Sequence, residues 1–365
     1  MDTSDSVIKF NDDGICDHCT TFDSNIATYW DNTDNFAALE KLTQKIKKSS
    51  RNKDYDCIIG MSGGIDSSYL LHIAKRVMGL NPLVFHVDGG WNSQEAVNNI
   101  EKLVDKLDVD LYTEVINWSE MRDLQLAFFK ASVPHIDTPQ DHAFFATMYK
   151  FAEKYNIKYI LTGANFSTEG IRNPIEWMYY QSDSVQLKDI HKKFGSVKLN
   201  SFPITSIIRH KIWLPYFKRI QVVRPLNYVN YNKQTAINFL TKEYGWMPYP
   251  QKHFESRFTR FYEGYWLPKK FGFDTRKVQF SSLILTKQMT REEALRLLSF
   301  PPLSDDIIKQ ELEFVSKKLQ ISPAELNTYL LSENKSYKDY KSQQNIYNLG
   351  AKAMKFLGIE LGGKR

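Results

Sequence analysis

Residues 55–68 read YDCIIGMSGGIDSS. Tyr55 to Met61 is a short apolar run with β-branched residues, the pattern of a buried strand. Ser62-Gly63-Gly64 turns the chain, and Ser67 to Met78 has the periodicity of a helix. This order makes a phosphate cradle. Glycine lets the backbone approach an anion closely, and the N–H groups and dipole at the start of a helix attract it. The expected cradle is Ser62, Gly63, Gly64, Ile65, Asp66, Ser67 and Ser68. Its serines add hydroxyl donors, with Ser62, Ser67 and Asp66 expected to carry the catalytic contribution. Asp66 would repel bare phosphate, so it is expected to hold Mg²⁺ or to orient the loop. A plain strand–helix turn capped by Asp and Ser would share some of these residues. SGG alone would not separate the two, whereas SGGxDSS between a strand and a helix does.

The same alternation continues outward. Strands are expected at Leu83 to Val87, Leu111 to Ile116, Lys158 to Leu161 and Ile220 to Val223. Helices are expected at Ser93 to Leu107, Glu120 to Ala131 and Asp141 to Tyr155. Short apolar strands alternating with amphipathic helices imply an α/β fold, its parallel sheet covered on both faces and its ligands beyond the carboxyl ends of the strands. The first fifty residues are polar apart from an amphipathic helix at Asn35 to Lys48, which leads into the linker-like run KKSSRNKD. After Tyr249–Lys277, dense in aromatics and cations, the pattern turns helical. Thr290 and Glu293 form a capping box. Helices follow at Ser304 to Leu319, Ser322 to Leu331 and Asn345 to Leu357, the last closed by Gly358. The expected organisation is 1–50, an N-terminal CxxC segment and helix; 51–230, the nucleotide domain; and 231–365, the aromatic, basic and helical substrate region.

Composition narrows the function classes. Of 365 residues, 42% are hydrophobic and 14% aromatic, enough for a sizeable core. The net charge of +6 suits an anionic substrate such as a nucleotide and is too small to call for nucleic acid. Three cysteines, Cys16, Cys19 and Cys57, make no disulfide framework, so a reducing, cytoplasmic setting is expected. No signal-peptide pattern and no run of about 18 apolar residues occurs, so no membrane partner is expected.

Other strand ends supply candidates. Phe85 to Gly90 ends the second strand, where His86, Val87 and Asp88 would border a nucleoside; for His86 alone, packing in the strand is the favoured reading. Thr162 to Gly170 ends the fourth. Gly163 would let the nucleotide approach closely, and Asn165 and Glu169 are placed to reach metal or substrate, or to form an ordinary polar loop. In the block 253–272, His253, Glu255, Arg257, Arg260, Lys269 and Lys270 are candidates for an acceptor substrate. A helix with core aromatics and solvated cations is the competing reading.

SGGxDS at the first strand–helix turn resembles the PP-loop ATP pyrophosphatases, the adenine nucleotide alpha hydrolase-like fold. That family includes the synthetases of NAD, GMP and asparagine and the tRNA thiolation enzymes. The Walker-A and Rossmann glycine patterns are absent at this turn, which argues against a dehydrogenase. The block HFESRFTRFYEGYWLPKKFG at 253–272, with Ser281–Leu285, Met289–Ala294 and the N-terminal MDTSDSVIKFNDDGICDHC, is similar to the N-acetyl sugar amidotransferases of bacterial surface-polysaccharide (lipopolysaccharide O-antigen) and nonulosonic-acid pathways. This resemblance covers most of the chain. It implies ATP and Mg²⁺, adenylylation of an N-acetyl carbonyl oxygen on a free or nucleotide-linked amino sugar, and displacement of AMP by ammonia to give an acetamidino group. It favours the acceptor reading of the 253–272 block. It also implies separate glutaminase and cyclase-like partner subunits that supply ammonia, since no glutaminase domain is recognisable.

Cys16-Asp17-His18-Cys19 is half of a zinc ribbon, and zinc requires four ligands. In the resembling family a first Cys-x-x-Cys lies upstream of the segment matching Met1 to Asp5. Cys16 and Cys19 are therefore expected either to bind Zn²⁺ together with residues preceding that segment or to be free thiols. Cys57 is expected to be a small buried hydrophobe. The alternative function is a PP-loop tRNA sulfurtransferase, which would use a persulfide on a cysteine near the loop.

Overall fold

The computed structural model describes residues 1–27, 30 and 35–356. Five strands form one parallel sheet: β1 (Cys57–Gly60), β2 (Pro82–Asp88), β3 (Leu111–Val115), β4 (Tyr159–Leu161) and β5 (Gln221–Val223), in the order β3-β2-β1-β4-β5. All five expected strands are present. Ile58 pairs with Leu83 on one side and with Ile160 on the other. The strand order reverses direction at β1 and β4, so their carboxyl ends form the crevice where such sheets bind ligands.

Alternation along β1 serves two cores. Ile58 points into a cluster with Phe85, Ile160, Leu124 and Phe128, while Cys57 and Ile59 join Val84, Leu161, Leu70 and Leu103 on the opposite face. Burying both faces is what makes these strands continuous apolar runs. The expectation of a sheet covered on both faces holds for the central strands. Each end strand has a neighbour on one side only, and Val115 in β3 and Val222 in β5 are exposed.

The helix expected at 67–78 begins at Ile65, runs to His72 and continues through a wider turn, Ile73–Val77. Gln94–Leu107 starts at Ser93, whose hydroxyl accepts from the Ala96 N–H; Trp118–Ala131 starts at Asn117 in the same way. Further helices lie outside the expected set, among them Ser184–Phe194, Lys233–Tyr244 and Arg276–Leu285. In the C-terminal region Arg291–Leu298, Asp305–Leu319, Pro323–Leu331 and Gln344–Phe356 are helical, while Leu357 and Gly358 lie outside the described residues. The Thr290 hydroxyl accepts from Glu293 N–H, which is the forward half of the expected box. Phe258, Phe261, Trp266, Val315 and Leu319 share the core of Ile58 and Phe85, so the C-terminal helices pack onto one face of the sheet. Among the described residues no helix is long and apolar enough to cross a membrane.

Candidate active site

The loop after β1 is shaped by what its glycines touch. Gly63 has φ +81°, and a Cβ there would lie 2.7 Å from the Ala96 carbonyl oxygen. A Cβ on Gly163, in the loop after β4, would lie 2.7 Å from the backbone of Asp66 and of Ser67. The two loops at the crevice are thus pressed together, and any side chain larger than hydrogen would separate them. Trp246 Nε1 and Tyr249 Oη donate to the Gly63 carbonyl at 3.1 and 3.3 Å and fix the turn from outside.

Within the turn the Gly64 N–H donates to Ser62 Oγ at 3.2 Å, and Ser67 Oγ donates to the Gly64 carbonyl at 3.2 Å. Ser68 Oγ is fully buried and makes no hydrogen bond to the described residues. A buried hydroxyl left without a partner, beside first-turn N–H groups that have no partner inside their own helix, is what a phosphate oxygen would complete. The residues therefore fit ATP.

Asp66 is held from several sides. Tyr231 Oη donates to its Oδ1, Thr168 Oγ1 donates to Oδ2 at 3.2 Å, and Lys252 Nζ lies 3.2 Å from Oδ2. Lys252 Nζ also donates to Thr168 Oγ1 at 2.8 Å and to Glu169 Oε1 at 2.7 Å. Burial alone would raise the Asp66 carboxyl, but Lys252, Tyr231 and Lys233 hold it below the ordinary carboxylate range. Burial likewise opposes the charge on Lys252, yet Glu169 and Asp66 push its ammonium well up. The pair is ionised because each partner is the other's solvation. None of Tyr231, Lys233 or Lys252 is among the residues singled out from sequence.

Glu255 stands on the loop itself, with Ser62 Oγ donating to its Oε1 at 3.0 Å. Burial raises its carboxyl. It reaches the loop because the strand-like segment around it is bridged to the turn after β2: Ser93 N–H donates to the Glu255 carbonyl, Arg257 N–H to the Trp91 carbonyl, and Asn92 pairs with Ser256. His253, at φ +67°, makes the bend that aims Lys252 and Glu255 inward; burial lowers its imidazole to about 4. Asp66, Glu169 and Glu255 are the residues that would hold Mg²⁺ together with nucleotide phosphates. No group of three His, Cys, Asp or Glu among the described residues is arranged as a metal site by itself.

The remaining candidates are placed as follows. His86 is buried, its Nδ1 at 2.8 Å from the Met61 carbonyl and its Nε2 at 2.9 Å from Asn92 Nδ2. Val87 is core, and Asp88 Oδ1 accepts from Gly90 N–H at 2.7 Å. Asn165 caps the short helix Phe166–Glu169 by accepting from Thr168 N–H. Arg257 and Arg260 both pair with Glu311 rather than with Glu255 or Glu263. Lys270 Nζ donates to the carbonyls of Tyr329, Leu330 and Ser332, while Lys269 is exposed. The structure thus brings Glu255 and Glu169 to the loop and ties Arg257, Arg260 and Lys270 to other helices. Cys16 and Cys19 have their sulfurs 3.4 Å apart, and His18 Nε2 is engaged by Asp5 at 2.8 Å. Two thiols do not complete a zinc site among the described residues. Cys57 is fully buried in β1, as expected.

Two family models match the chain. The phosphoadenosine phosphosulfate reductase domain matches residues 56–226, and the LPS biosynthesis protein WbpG-like C-terminal domain matches residues 255–354. No curated protein sequence matches. Similar solved structures include NMN synthetase from Francisella tularensis (TM-score 0.35, 15% identity, covering 79% of this chain and 97% of that one). They also include NH3-dependent NAD synthetase from Campylobacter jejuni (0.32, 14%, 83% and 99%) and the U34-tRNA thiolase NcsA from Methanococcus maripaludis (0.33, 12%, 77% and 80%). These scores are too low to bear on the reading of the site. The loop geometry and the two family matches together support a PP-loop, ATP-using enzyme whose C-terminal region is similar to the WbpG-like domain of LPS biosynthesis.

Proposed function

We propose that the chain is an ATP-dependent N-acetyl sugar amidotransferase acting on a free or nucleotide-linked amino sugar. The observation that supports this most directly is the 3.0 Å contact between Ser62 of the phosphate loop and Glu255 of the WbpG-like region. Through it the nucleotide loop of 51–230 and the acceptor side of 231–365 meet at one place.

In this reading the loop 62–68 receives the β- and γ-phosphates, with Ser62, Ser67 and Ser68 donating to their oxygens. Asp66 orients the loop through Tyr231 and Lys252. Mg²⁺ held by Asp66, Glu169 and Glu255 would neutralise charge building on the leaving pyrophosphate. The acceptor's amide oxygen attacks the α-phosphorus, and pyrophosphate leaves. Ammonia then adds to the activated carbon and AMP departs, leaving an amidine. Fixed donors at the loop stabilise charge where it develops, so no nucleophilic side chain is required. Separate glutaminase and cyclase-like subunits would supply the ammonia.

The test is incubation with ATP, Mg²⁺, ammonium and a panel of N-acetylated sugars. AMP and pyrophosphate should appear together with a product lighter than the acceptor by about one mass unit, the difference between O and NH. AMP release with no acceptor-dependent mass change across the panel would overturn the reading.

A further inference from the structure

Beneath the segment that closes the phosphate loop lies a second group of acids that the reaction above does not use. Asp137 is 7% and Glu263 9% exposed, and Asp141 is half-buried. Their hydrogen-bond partners are neutral. Thr259 Oγ1 and Gln140 Nε2 each donate to Asp137 at 3.3 Å, Thr275 Oγ1 donates to Glu263 at 3.4 Å, and Gln181 Nε2 donates to Asp141. Lys252, already committed to Asp66 and Glu169, is the cation whose field reaches Glu263. Asp137 and Asp141 face Thr259, Gln140, Gln181, Glu263 and each other, and burial raises both carboxyls.

Tyr262 supplies a second observation. It is fully buried, its Oη makes no hydrogen bond to the described residues, and it lies in the field of Asp137, Glu263 and Asp141. Thr138 Oγ1, beside Asp137 in sequence, is also buried and without a partner. Uncompensated acids around unpartnered hydroxyls describe a site for a small cation that gives hydrogen bonds. The acids are not arranged as a metal cage. Position completes the picture. Thr259 and Glu263 are four residues apart on the helical segment Arg257–Trp266, and Glu255 stands four residues before Thr259. Glu255 precedes that helix, where it touches Ser62, and its charge reaches Glu263. The half-buried Asp141 lies in the field of Glu263 as well.

We propose that Asp137, Asp141, Glu263 and Tyr262 form an ammonium site from which ammonia passes by Glu255 to the phosphate loop. This rests on the amidotransferase reading. Ammonium offers four N–H donors; three carboxylates and a phenol oxygen can accept them. The bound cation gives one proton to a carboxylate and becomes nucleophilic ammonia. Its nitrogen forms a bond to the activated carbon as the carbon–oxygen bond to AMP breaks, the electron pair leaving with AMP. Beside the acceptor's own N–H, two of the four ammonium protons stay on the amidinium product; one passes from the carboxyl to water, and the other leaves to water as the adduct expels AMP.

The first measurement is melting temperature in ammonium, potassium and tetramethylammonium chloride at equal ionic strength. Wild type should be stabilised by ammonium above both other salts, and Glu263→Gln and Asp137→Asn should lose that difference. These isosteric changes remove buried charge, so the variants should fold. Tyr262→Phe should lose part of it. In turnover assays the ammonium KM should rise about tenfold in Glu263→Gln, with no matching rise in the ATP KM. Equal stabilisation by potassium, or an unchanged ammonium response in the variants, overturns the site. Ammonium-selective stabilisation in a protein that amidinates no sugar would retain the site and sink the amidotransferase reading. Amidination without that selectivity would do the reverse.

Discussion

Two sets of buried acids lie under one segment of chain, and burial has opposite outcomes in them. Asp66 is buried with Lys252, Tyr231 and Thr168 against it, and its carboxyl is held below the ordinary range. Asp137 and Glu263 are buried with hydroxyls and an amide, and desolvation lifts them to about 7 and about 8. The difference is an ammonium group in direct contact, Lys252 on Asp66, with Lys233 adding to it. Where it is present the acid is a fixed charge suited to orienting a phosphate loop. Where it is absent the acid can exchange protons near neutral pH, which a loop holding ATP has no use for and an ammonia-using reaction does.

The largest break in this comparison should come from Asp66→Ala. The expected result is loss of AMP and pyrophosphate formation by about a thousandfold or more, because contacts realised at the leaving group disappear. Circular dichroism should show a folded protein. Near-normal turnover would mean that Asp66 is only a packed acid.

Removing the cation should turn the first set into the second. Lys252→Met leaves Asp66 and Glu169 without their shared partner, and unpairing a buried charge costs about 3–5 kcal/mol. Chemical denaturation should show that loss, and arginine at the same position should recover part of it. A stability change near zero would show that Asp66 is compensated by Tyr231 and Lys233 alone.

The two sets also predict opposite pH limbs. Asp137 and Glu263 bind protons more tightly folded than unfolded. Their contribution is fully present at acid pH, declines as pH rises through about 4 to 8, and is flat above. Asp66 contributes above its unfolded value and loses that contribution as pH falls from there through its lower folded value. Asp137 faces Thr259, Gln140, Tyr262 and Asp141, while Glu263 faces Thr275, Asp137, Lys252 and Glu255. Melting temperature followed across this range should fall on the alkaline side in wild type and fall less in Glu263→Gln. An identical slope in both would remove Glu263 from the titration.

The same contrast explains what the sequence discloses. Ser62 to Ser68 is legible because the chemistry is contiguous: strand, turn, hydroxyls and helix start lie within one short stretch. Lys252 and Tyr231 are not, since they reach Asp66 from 186 and 165 residues away and carry no local pattern. The acids Asp137, Asp141 and Glu263 carry no local pattern that joins them, and only the fold brings them together. Arg257 and Arg260 invite a substrate role through their density of charge, yet sequence cannot show Glu311 across from them. The helix Lys233–Tyr244 does carry its own signals, Asn232 capping Thr235 N–H and Gly245 at φ +68° closing it. Between them Ala236, Leu240 and Tyr244 keep a four-residue apolar spacing, so this helix is legible in the sequence although it lies outside the expected set.

The smallest effects should come from those two arginines. Glu311 is 1% exposed and is approached by Arg257 Nη2 at 3.0 Å and by Arg260. Arg257 also stacks its guanidinium 3.4 Å above the Phe314 ring. Either arginine alone still neutralises Glu311, so Arg257→Ala or Arg260→Ala should cost only ~1 kcal/mol or less. Both together leave a buried acid unpaired, and the double variant should lose clearly more than the sum. That non-additivity belongs to a structural clasp joining the segment after Glu255 to the helix Asp305–Leu319. If the arginines instead grip an anionic part of the acceptor, each single variant should raise the acceptor KM, and lysine should restore it poorly because it lacks the two-pronged fork. Denaturation curves of the single and double variants, read beside their acceptor KM values, separate the two roles. Additive stability losses with a raised KM would move these arginines from the scaffold into the site, and with them the anionic end of the substrate.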